Sequence, residues 1–180
     1  MREYAIQGTG GAPDWESIPA LGIDNHMWLG QSDIRAETQI CYGEDALFVR
    51  LRAWEAEIRA EHTGHPHQIA DDSCLEFFFC PVPGDVRYFS VEMNPNAAMY
   101  LGFGSGRADL VRLLVSDEQV LFRPRPFWID GGWGSNTVSL SSSSDASCPL
   151  SARKEGGGFG PTATSMATEP YGRTTSPGIR

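Results

Sequence analysis

A predicted β-hairpin over residues 71–96 constrains the fold of this chain more than any other stretch. Two runs within it, 73–80 and 87–93, alternate their side chains with the period of two that is typical of β-strands. A segment with two prolines and a glycine, 81–85, separates the runs and predicts a turn. The side of the hairpin predicted to face a core carries Leu75, Phe77, Phe79, Phe89, Val91 and Met93. Neighbouring segments are therefore expected to pair onto its edges.

The residue pattern predicts further strands outside this hairpin. They cover residues 3–8, 34–42, 46–54, 98–103, 110–115 and 120–122. Pro124 and Pro126 restrict the following segment to a sheet edge or a loop. Trp15, Ile18 and Leu21 are spaced to lay an irregular N-terminal segment across the sheets. The fold class indicated is all-β, an antiparallel β-sandwich of the jelly-roll or immunoglobulin-like kind.

Length and charge limit the classes of function. The chain has 180 residues, enough for one domain with a sizeable core. Its formal net charge of −9 argues against nucleic acid and anionic membranes as partners, because both need a basic surface. The sequence shows no export signal, no long apolar run and no zinc-type cysteine spacing, so reduced cysteines and a cytoplasmic location are expected.

Charged and aromatic residues at alternate strand positions indicate a candidate binding surface. Arg50, Arg52 and Trp54 share one side of the strand predicted at 46–54. The equivalent side of the hairpin carries Glu76, Glu92 and Asn94. Aromatic rings contact the C–H faces of sugars while planar charged and amide groups bond the hydroxyls, so the six residues are predicted to bind carbohydrate. The alternative is a solvated ladder of ion pairs.

Two clusters resemble metal-ligand sets. His62, His65 and His67 lie in a loop broken by Gly and Pro, which does not preorganise a zinc site, so a solvated loop is expected there. Asp71 and Asp72 could supply oxygen ligands to calcium together with loop carbonyls, although no EF-hand pattern is present. Calcium is therefore the cofactor hypothesis for this pair of acids, and no other cofactor is expected.

Five segments in order resemble the single-domain relatives of carbohydrate-binding module family 9, within the broader DOMON-like β-sandwich group. They are WESIPAL at 15–21, DALFVRLRAWEAEIRA at 45–60, DSCLEFFF at 72–79, YFSVEMNP at 88–95 and AAMYLGFGSGRADL at 97–110. The resemblance covers about residues 13–134. It implies a β-sandwich that binds a mono- or oligosaccharide and is associated with polysaccharide breakdown.

Two other functions are compatible with such a sandwich. A glycoside hydrolase uses paired carboxylates, but nothing in the sequence places Glu76 and Glu92 across a cleft, so no enzyme is expected. The DOMON-like group also includes haem binders with Met or His ligands, and here Met93 and Met99 lie in strands while the four histidines lie in loops. Core methionines and loop histidines are the expected explanation; a purely structural sandwich is the other alternative.

The composition changes after Gly134, where a Ser/Thr/Gly-rich tail over 135–180 begins and shows no strand or helix period. The only lysine, Lys154, lies in this tail. If each codon is read from the last base of the preceding one, compatible codon choices give VEYSIPLELLRRF from Ser135 onward. They also give IRANSNFYGDRTVRPHYLAWNP over 159–180, and both segments resemble the missing family C-terminus.

A frameshift near Gly134 is therefore predicted. It divides the chain into a domain at 1–134 and an out-of-frame tail at 135–180 without a stable fold. The sandwich would be incomplete at its C-terminus and prone to aggregate through an exposed apolar edge, and the product could be a non-functional truncation.

Overall fold

The computed structural model describes residues 4–25, 33–44, 46–63, 69–113 and 122–139 as two β-sheets that pack face to face. The described residues contain ten strands, one 3₁₀ turn at Ile69–Asp71 and no α-helix. With the exception of one two-residue parallel pair, all strand pairs are antiparallel. The predicted antiparallel β-sandwich is confirmed.

The larger sheet has the strand order β1-β3-β4-β10-β9, with β2 paired to β3 beside β1. The bounds are β1 Gln7–Gly8, β2 Leu21–Ile23, β3 Arg35–Tyr42, β4 Leu47–Trp54, β9 Phe122–Ile129 and β10 Gly132–Ser139. Hairpin turns join β3 to β4 and β9 to β10, and β10 lies between β9 and β4. The sheet thus ends at β9, whose two prolines are tolerated because one edge of this strand is unpaired.

The smaller sheet has the order β5-β6-β7-β8 and is built on the hairpin that the sequence predicts. Its bounds are β5 Leu75–Phe79, β6 Tyr88–Met93, β7 Met99–Gly104 and β8 Val111–Arg112. β8 is shorter than the strand predicted at 110–115, of which residues 114 and 115 lie outside the described residues.

The core lies between the sheets and is filled by alternate residues of both. The larger sheet contributes Ala36, Ile40, Val49, Leu51, Ala53 and Trp133. The smaller sheet contributes Leu75, Phe77, Phe89, Val91, Met93, Met99 and Leu101. In β4, β5 and β6, the side chains predicted from the sequence to face the core do face it, and the residues between them do not. Residues between these core positions point to the two outward faces.

The N-terminal segment crosses the outward face of the larger sheet, as predicted. The Gln39 amide donates hydrogen bonds to the carbonyl oxygens of Trp15, at 2.7 Å, and of Ile18, at 2.6 Å. Ile18 is buried beneath this crossing. One strand position of β3 thus fixes where Trp15 stands over the sheet.

The C-terminal boundary differs from the prediction. β10 continues through Ser135 to Ser139 and pairs with β4 along its whole length, so the folded part extends beyond Gly134. The extension is possible because backbone hydrogen bonds between strands do not depend on side-chain identity. Residues 140–180, the remainder of the predicted tail, lie outside the described residues. No helix in the described part of the chain is long and apolar enough to span a bilayer.

Candidate functional site

The six residues predicted to bind carbohydrate do not form one surface. Arg50, Arg52 and Trp54 point outward from β4 in the larger sheet. Glu76 and Glu92 point outward from β5 and β6 in the smaller sheet, on the opposite side of the sandwich. The prediction of a single face was wrong because a period of two assigns a residue to a side of its strand, but not to a sheet.

The outward face of the smaller sheet brings two carboxylates together. Glu76 and Glu92 are direct cross-strand partners, and Tyr100 on β7 continues the same row. The Ser90 hydroxyl donates a 3.0 Å hydrogen bond to Glu92 Oε1. The thiol of Cys74 and one oxygen of each glutamate all lie within 4.8 Å of one another. We call this set, Cys74, Glu76, Ser90, Glu92 and Tyr100, the carboxylate face.

Several of these polar groups are buried although they do not face the core. Glu76 is 8% exposed and Ser90 is fully buried. Charged and hydroxyl groups are rarely enclosed on an outward face without a task, because burial removes their hydration. The carboxylate face is therefore the strongest candidate for a functional site among the described residues.

The donors of the carboxylate face keep their protons at neutral pH. Burial raises the pKa of the Cys74 thiol well above its usual range, and the negative charges of Glu76 and Glu92 raise it further. Burial and the charge of Glu92 also raise the pKa of Tyr100, partly offset by Arg112. The site therefore combines carboxylate acceptors with the Tyr100 hydroxyl as a donor, since the Ser90 hydroxyl already donates to Glu92. This is the pairing that sugar hydroxyls need, since each donates and accepts.

Aromatic rings and a glycine shape the same face. Phe78 and Tyr88 meet edge to face, with ring centroids 5.7 Å apart. The Tyr100 ring lies over Gly102, where an added Cβ would come within 2.9 Å of the ring. The Arg112 guanidinium stands 5.2 Å from the centre of the Tyr100 ring. Gly102 thus leaves the space that the Tyr100 ring occupies next to the Ser90 position.

A divalent cation could fit between three possible ligand atoms of this face, since those of Cys74, Glu76 and Glu92 are close enough together to share one ion. A protonated thiol is a poor ligand, however, because metals bind the thiolate. A cation at this position would therefore be held through the oxygens of Glu76 and Glu92.

Asp72 and Asn94, predicted as a calcium ligand and a sugar ligand, form a buried hydrogen-bonded pair. The Asn94 amide donates to Asp72 Oδ2 at 2.7 Å and to the His62 carbonyl oxygen at 2.8 Å. The Asp72 carboxylate also accepts hydrogen bonds from the backbone N–H groups of Glu61, at 3.0 Å, and of His62, at 2.9 Å.

The Asn94 side-chain oxygen accepts hydrogen bonds from the backbone N–H groups of Asn96 and Ala98. The pair therefore joins the 61–62 loop to the turn after β6. Asp71 lies in the adjacent 3₁₀ turn and is partly exposed. Calcium binding by Asp71 and Asp72 remains a hypothesis, and the hydrogen bonds to Asp72 do not favour it.

The outward face of the larger sheet collects arginines. Cross-strand rows join Arg35 to Trp54, Glu37 to Arg52, and Gln39 to Arg50, Asn136 and Arg125. Glu37 is the single acidic side chain in these rows. We call the four arginines at 35, 50, 52 and 125 the arginine face.

Within the arginine face Arg52 and Trp54 already have partners. Arg52 forms an ion pair with Glu37 and donates to Gln39 Oε1 at 3.2 Å. The Arg35 guanidinium lies 3.7 Å from the centre of the Trp54 ring, which covers one side of that ring. Trp54 is therefore not an open aromatic platform on that side.

Cys74, Ser90 and Tyr100 were not predicted as members of the carboxylate face. Their alternation with core residues is visible in the sequence, but small hydroxyl and thiol groups on an outward face are common and give no specific signal. Phe127 and Asn136 were not predicted because the pairing of β10 with β4 places them near Arg50.

The methionines considered for haem lie in the core, since Met93 and Met99 belong to its buried cluster. His62 Nδ1 lies 3.2 Å from Asp72 Oδ1. His26, His65 and His67 lie outside the described residues.

Comparison with known proteins places these observations in a family context. The family model described as "Carbohydrate-binding family 9" matches residues 12–121. A search of curated proteins found no match. Among solved structures, a Bacteroides uniformis protein described as carbohydrate-binding is similar, with a TM-score of 0.65 and 16% identity over 75% of this chain and 71% of that protein.

Two further similar structures are of a carbohydrate-binding module family 9 from Caldicellulosiruptor kristjanssonii, one in complex with glucose and one with cellotriose. The glucose complex gives a TM-score of 0.50 and 10% identity over 76% of this chain and 69% of that one. The cellotriose complex gives 0.50 and 11% over 76% and 67%. At these identities the likeness concerns the fold.

Proposed function

The chain belongs to carbohydrate-binding family 9, and on that premise we propose that its carboxylate face binds a mono- or oligosaccharide. The observation that carries the proposal is the Glu76–Glu92 cross-strand pair with Ser90 and Tyr100 beside it. Carboxylate oxygens accept hydrogen bonds from sugar hydroxyls and the Tyr100 phenol can donate one, while the buried Ser90 hydroxyl, which donates to Glu92, holds that carboxylate in place. Phe78 and Tyr88 lie along the same face and can contact the apolar side of a sugar ring.

Binding without catalysis is the second part of the proposal. Glu76 and Glu92 project from adjacent strands of one sheet toward the same side. A glycosidase places its two carboxyl groups on either side of the scissile bond. Two groups on one side of a sugar can hold its hydroxyls but cannot act from both sides of the bond.

Calorimetric titration of the whole chain against neutral sugars tests this function. Glucose and cellotriose are suitable first probes, because a family member of the same fold has been crystallised with each. We expect Glu92→Gln and Tyr100→Phe each to weaken binding by about tenfold or more, the loss of one hydrogen bond that involves a charge. The matched control is Glu57→Gln, which changes an exposed glutamate outside the face.

Two results would count against the proposal in different ways. If no neutral sugar releases heat or changes tryptophan fluorescence, the binding function is wrong. If a sugar binds and both variants bind it as tightly as the parent chain, the function stands and the location is wrong. Chromatography of cellotriose after long incubation should show intact trisaccharide; cleavage would contradict the non-catalytic part.

A further inference from the structure

Arg50 is held rigidly at the centre of the arginine face. Its guanidinium lies near two aromatic rings, 4.5 Å from the centre of the Trp15 ring and 5.7 Å from the centre of the Phe127 ring. Its Nε donates a 2.9 Å hydrogen bond to Asn136 Oδ1. Gly134, directly across from Arg52, leaves the room that the Phe127 ring occupies. These contacts orient the plane of the guanidinium before any ligand arrives.

The two terminal nitrogens of Arg50 have no hydrogen-bond partner among the described residues, and no described acid forms an ion pair with it. Arg52 is the nearest charged neighbour on the strand, and its own charge is offset by Glu37. Burial lowers the pKa of Arg50 and the positive charge of Arg52 lowers it further, while Glu16 acts in the opposite direction. The half-buried Arg50 cation therefore lies where a bound anion would be stabilised.

The surroundings of Arg50 are cationic although the protein is acidic. The formal net charge of the whole chain is −9. The same cross-strand row carries a second arginine, Arg125, which is exposed on β9. Neighbouring strands lie about 4.8 Å apart, so the two arginines stand roughly 10 Å apart across Asn136, a spacing close to two sugar units.

We propose that the arginine face is a second binding surface, one that takes the carboxylates of a uronate-containing oligosaccharide. The Arg50 terminal nitrogens would hold one carboxylate end-on through two parallel hydrogen bonds, and Arg125 would contact the carboxylate two sugar units further along the chain. The partly exposed rings of Trp15 and Phe127, which lie beside Arg50, would contact the C–H groups of the sugar ring that carries the first carboxylate. This surface is independent of the carboxylate face, whose own negative charges disfavour acidic sugars.

An acidic sugar fits better than a nucleic acid. The phosphate backbone of a nucleic acid is bound by an extended surface of Lys and Arg side chains, and the net charge of −9 opposes its long-range approach to this protein. A single fixed guanidinium flanked by rings suits a planar carboxylate attached to a ring.

Titration of the whole chain with trigalacturonate and with its fully methyl-esterified form tests the proposal. The ester keeps the sugar rings and removes the charges. We expect the acid to bind about tenfold or more tightly than the ester, and the preference to shrink as salt rises. Equal binding of acid and ester would overturn the proposal. Equal competition by a single-stranded oligonucleotide would overturn it too, in favour of a general polyanion surface.

Variants assign the binding to Arg50. Arg50→Lys keeps the charge but loses the planar fork, so affinity for trigalacturonate should fall about tenfold. Asn136→Glu places a carboxylate opposite Arg50 and should remove the preference for the acid. The control is Arg87→Lys, an exposed arginine that pairs with Asp85 on another part of the surface. Unchanged affinity in both test variants, with folding confirmed by circular dichroism, would contradict the assignment.

The two surfaces are tested separately. Glu92→Gln should leave trigalacturonate binding unchanged, and Arg50→Lys should leave neutral-sugar binding unchanged. Loss of both activities in either variant would show that one surface, not two, binds sugars, and would overturn this inference.

Discussion

Ser135 occupies a core position to which its side chain is poorly suited. It is 1% exposed, pairs with Leu51 across the strands, and its hydroxyl has no hydrogen-bond partner among the described residues. An unpaired buried hydroxyl is destabilising, and a branched apolar side chain would fill the same site. The alternative reading frame places valine at this position and so agrees with the demand of the core. The frameshift itself remains a prediction.

We therefore expect Ser135→Val to raise the free energy of unfolding by about 1–2 kcal/mol, from removal of the unpaired hydroxyl and added apolar burial. Urea denaturation followed by tryptophan fluorescence measures this. Ser135→Ala separates the two contributions, because it removes the hydroxyl without adding volume. A less stable valine variant would show that the site does not accept the larger side chain.

Asp72 links stability to pH. Burial alone raises its pKa, but the hydrogen bonds from Glu61, His62 and Asn94 outweigh burial, so the pKa lies below its ordinary value of 3.8. A carboxyl whose pKa is lower in the folded state stabilises the fold at a pH above its unfolded pKa. That stabilisation is lost as the pH falls through the lower, folded value.

Replacing Asp72 with Asn should cost about 1–3 kcal/mol at neutral pH, because an amide N–H₂ would face donors that now meet a carboxylate oxygen. The difference between parent and variant should narrow as the pH falls below about 4. Chemical denaturation at several pH values measures it. A difference that does not change between neutral and acid pH would show that the charge of Asp72 is not what stabilises the loop.

At the scale of strands, the alternation of side chains could be predicted and the partners of each strand could not. The core sides of β4, β5 and β6 agree with the sequence pattern residue for residue. Which sheet contains β4 and which contains β5 depends on the path of the loop between them, and that loop carries no periodic signal. This is why Arg50 and Glu76 were predicted to share a face and are found on opposite sides.

β10 is a strand that the sequence pattern did not predict. Its segment follows a Gly-rich turn and carries few β-branched residues, so no strand was predicted beyond residue 122. The strand forms because it lies between β4 and β9, where both of its edges find partners. The sequence likewise could not show that Asn136 meets Arg50.

On β7, Gly102 is expected to control the carboxylate face. Gly102→Ala would push the Tyr100 ring, because the added Cβ comes within 2.9 Å of it. Affinity for a neutral sugar should fall by about tenfold, with a loss of stability of about 1 kcal/mol at most. The control is Gly22→Ala on β2, where nothing lies within 4 Å of the added carbon. Calorimetry and thermal unfolding measure both changes; full binding by Gly102→Ala would show that the present position of the Tyr100 ring does not govern affinity.

For the molecule as a whole, the reading frame after Gly134 decides the state of the domain. We expect sequencing of the DNA across codons 125–140 to reveal an added or missing base, and a chain with the VEYSIP frame to unfold at higher temperature and aggregate less. That frame also implies Asn136→Glu beside Arg50. The restored chain should therefore bind neutral sugars on the carboxylate face and lose the preference for uronates. A restored chain that is less stable than the present one would contradict the frameshift.

Pro124 and Pro126 on the outermost strand of the larger sheet bear on how the molecule behaves at high concentration. A proline has no amide hydrogen, so at two positions along β9 an approaching chain would find no donor to pair with. Fibril growth by templating needs an unbroken row of donors and acceptors on an open strand. Self-association of this protein should therefore not proceed from β9, and sedimentation or fibril-dye assays should show that it begins elsewhere or needs prior unfolding.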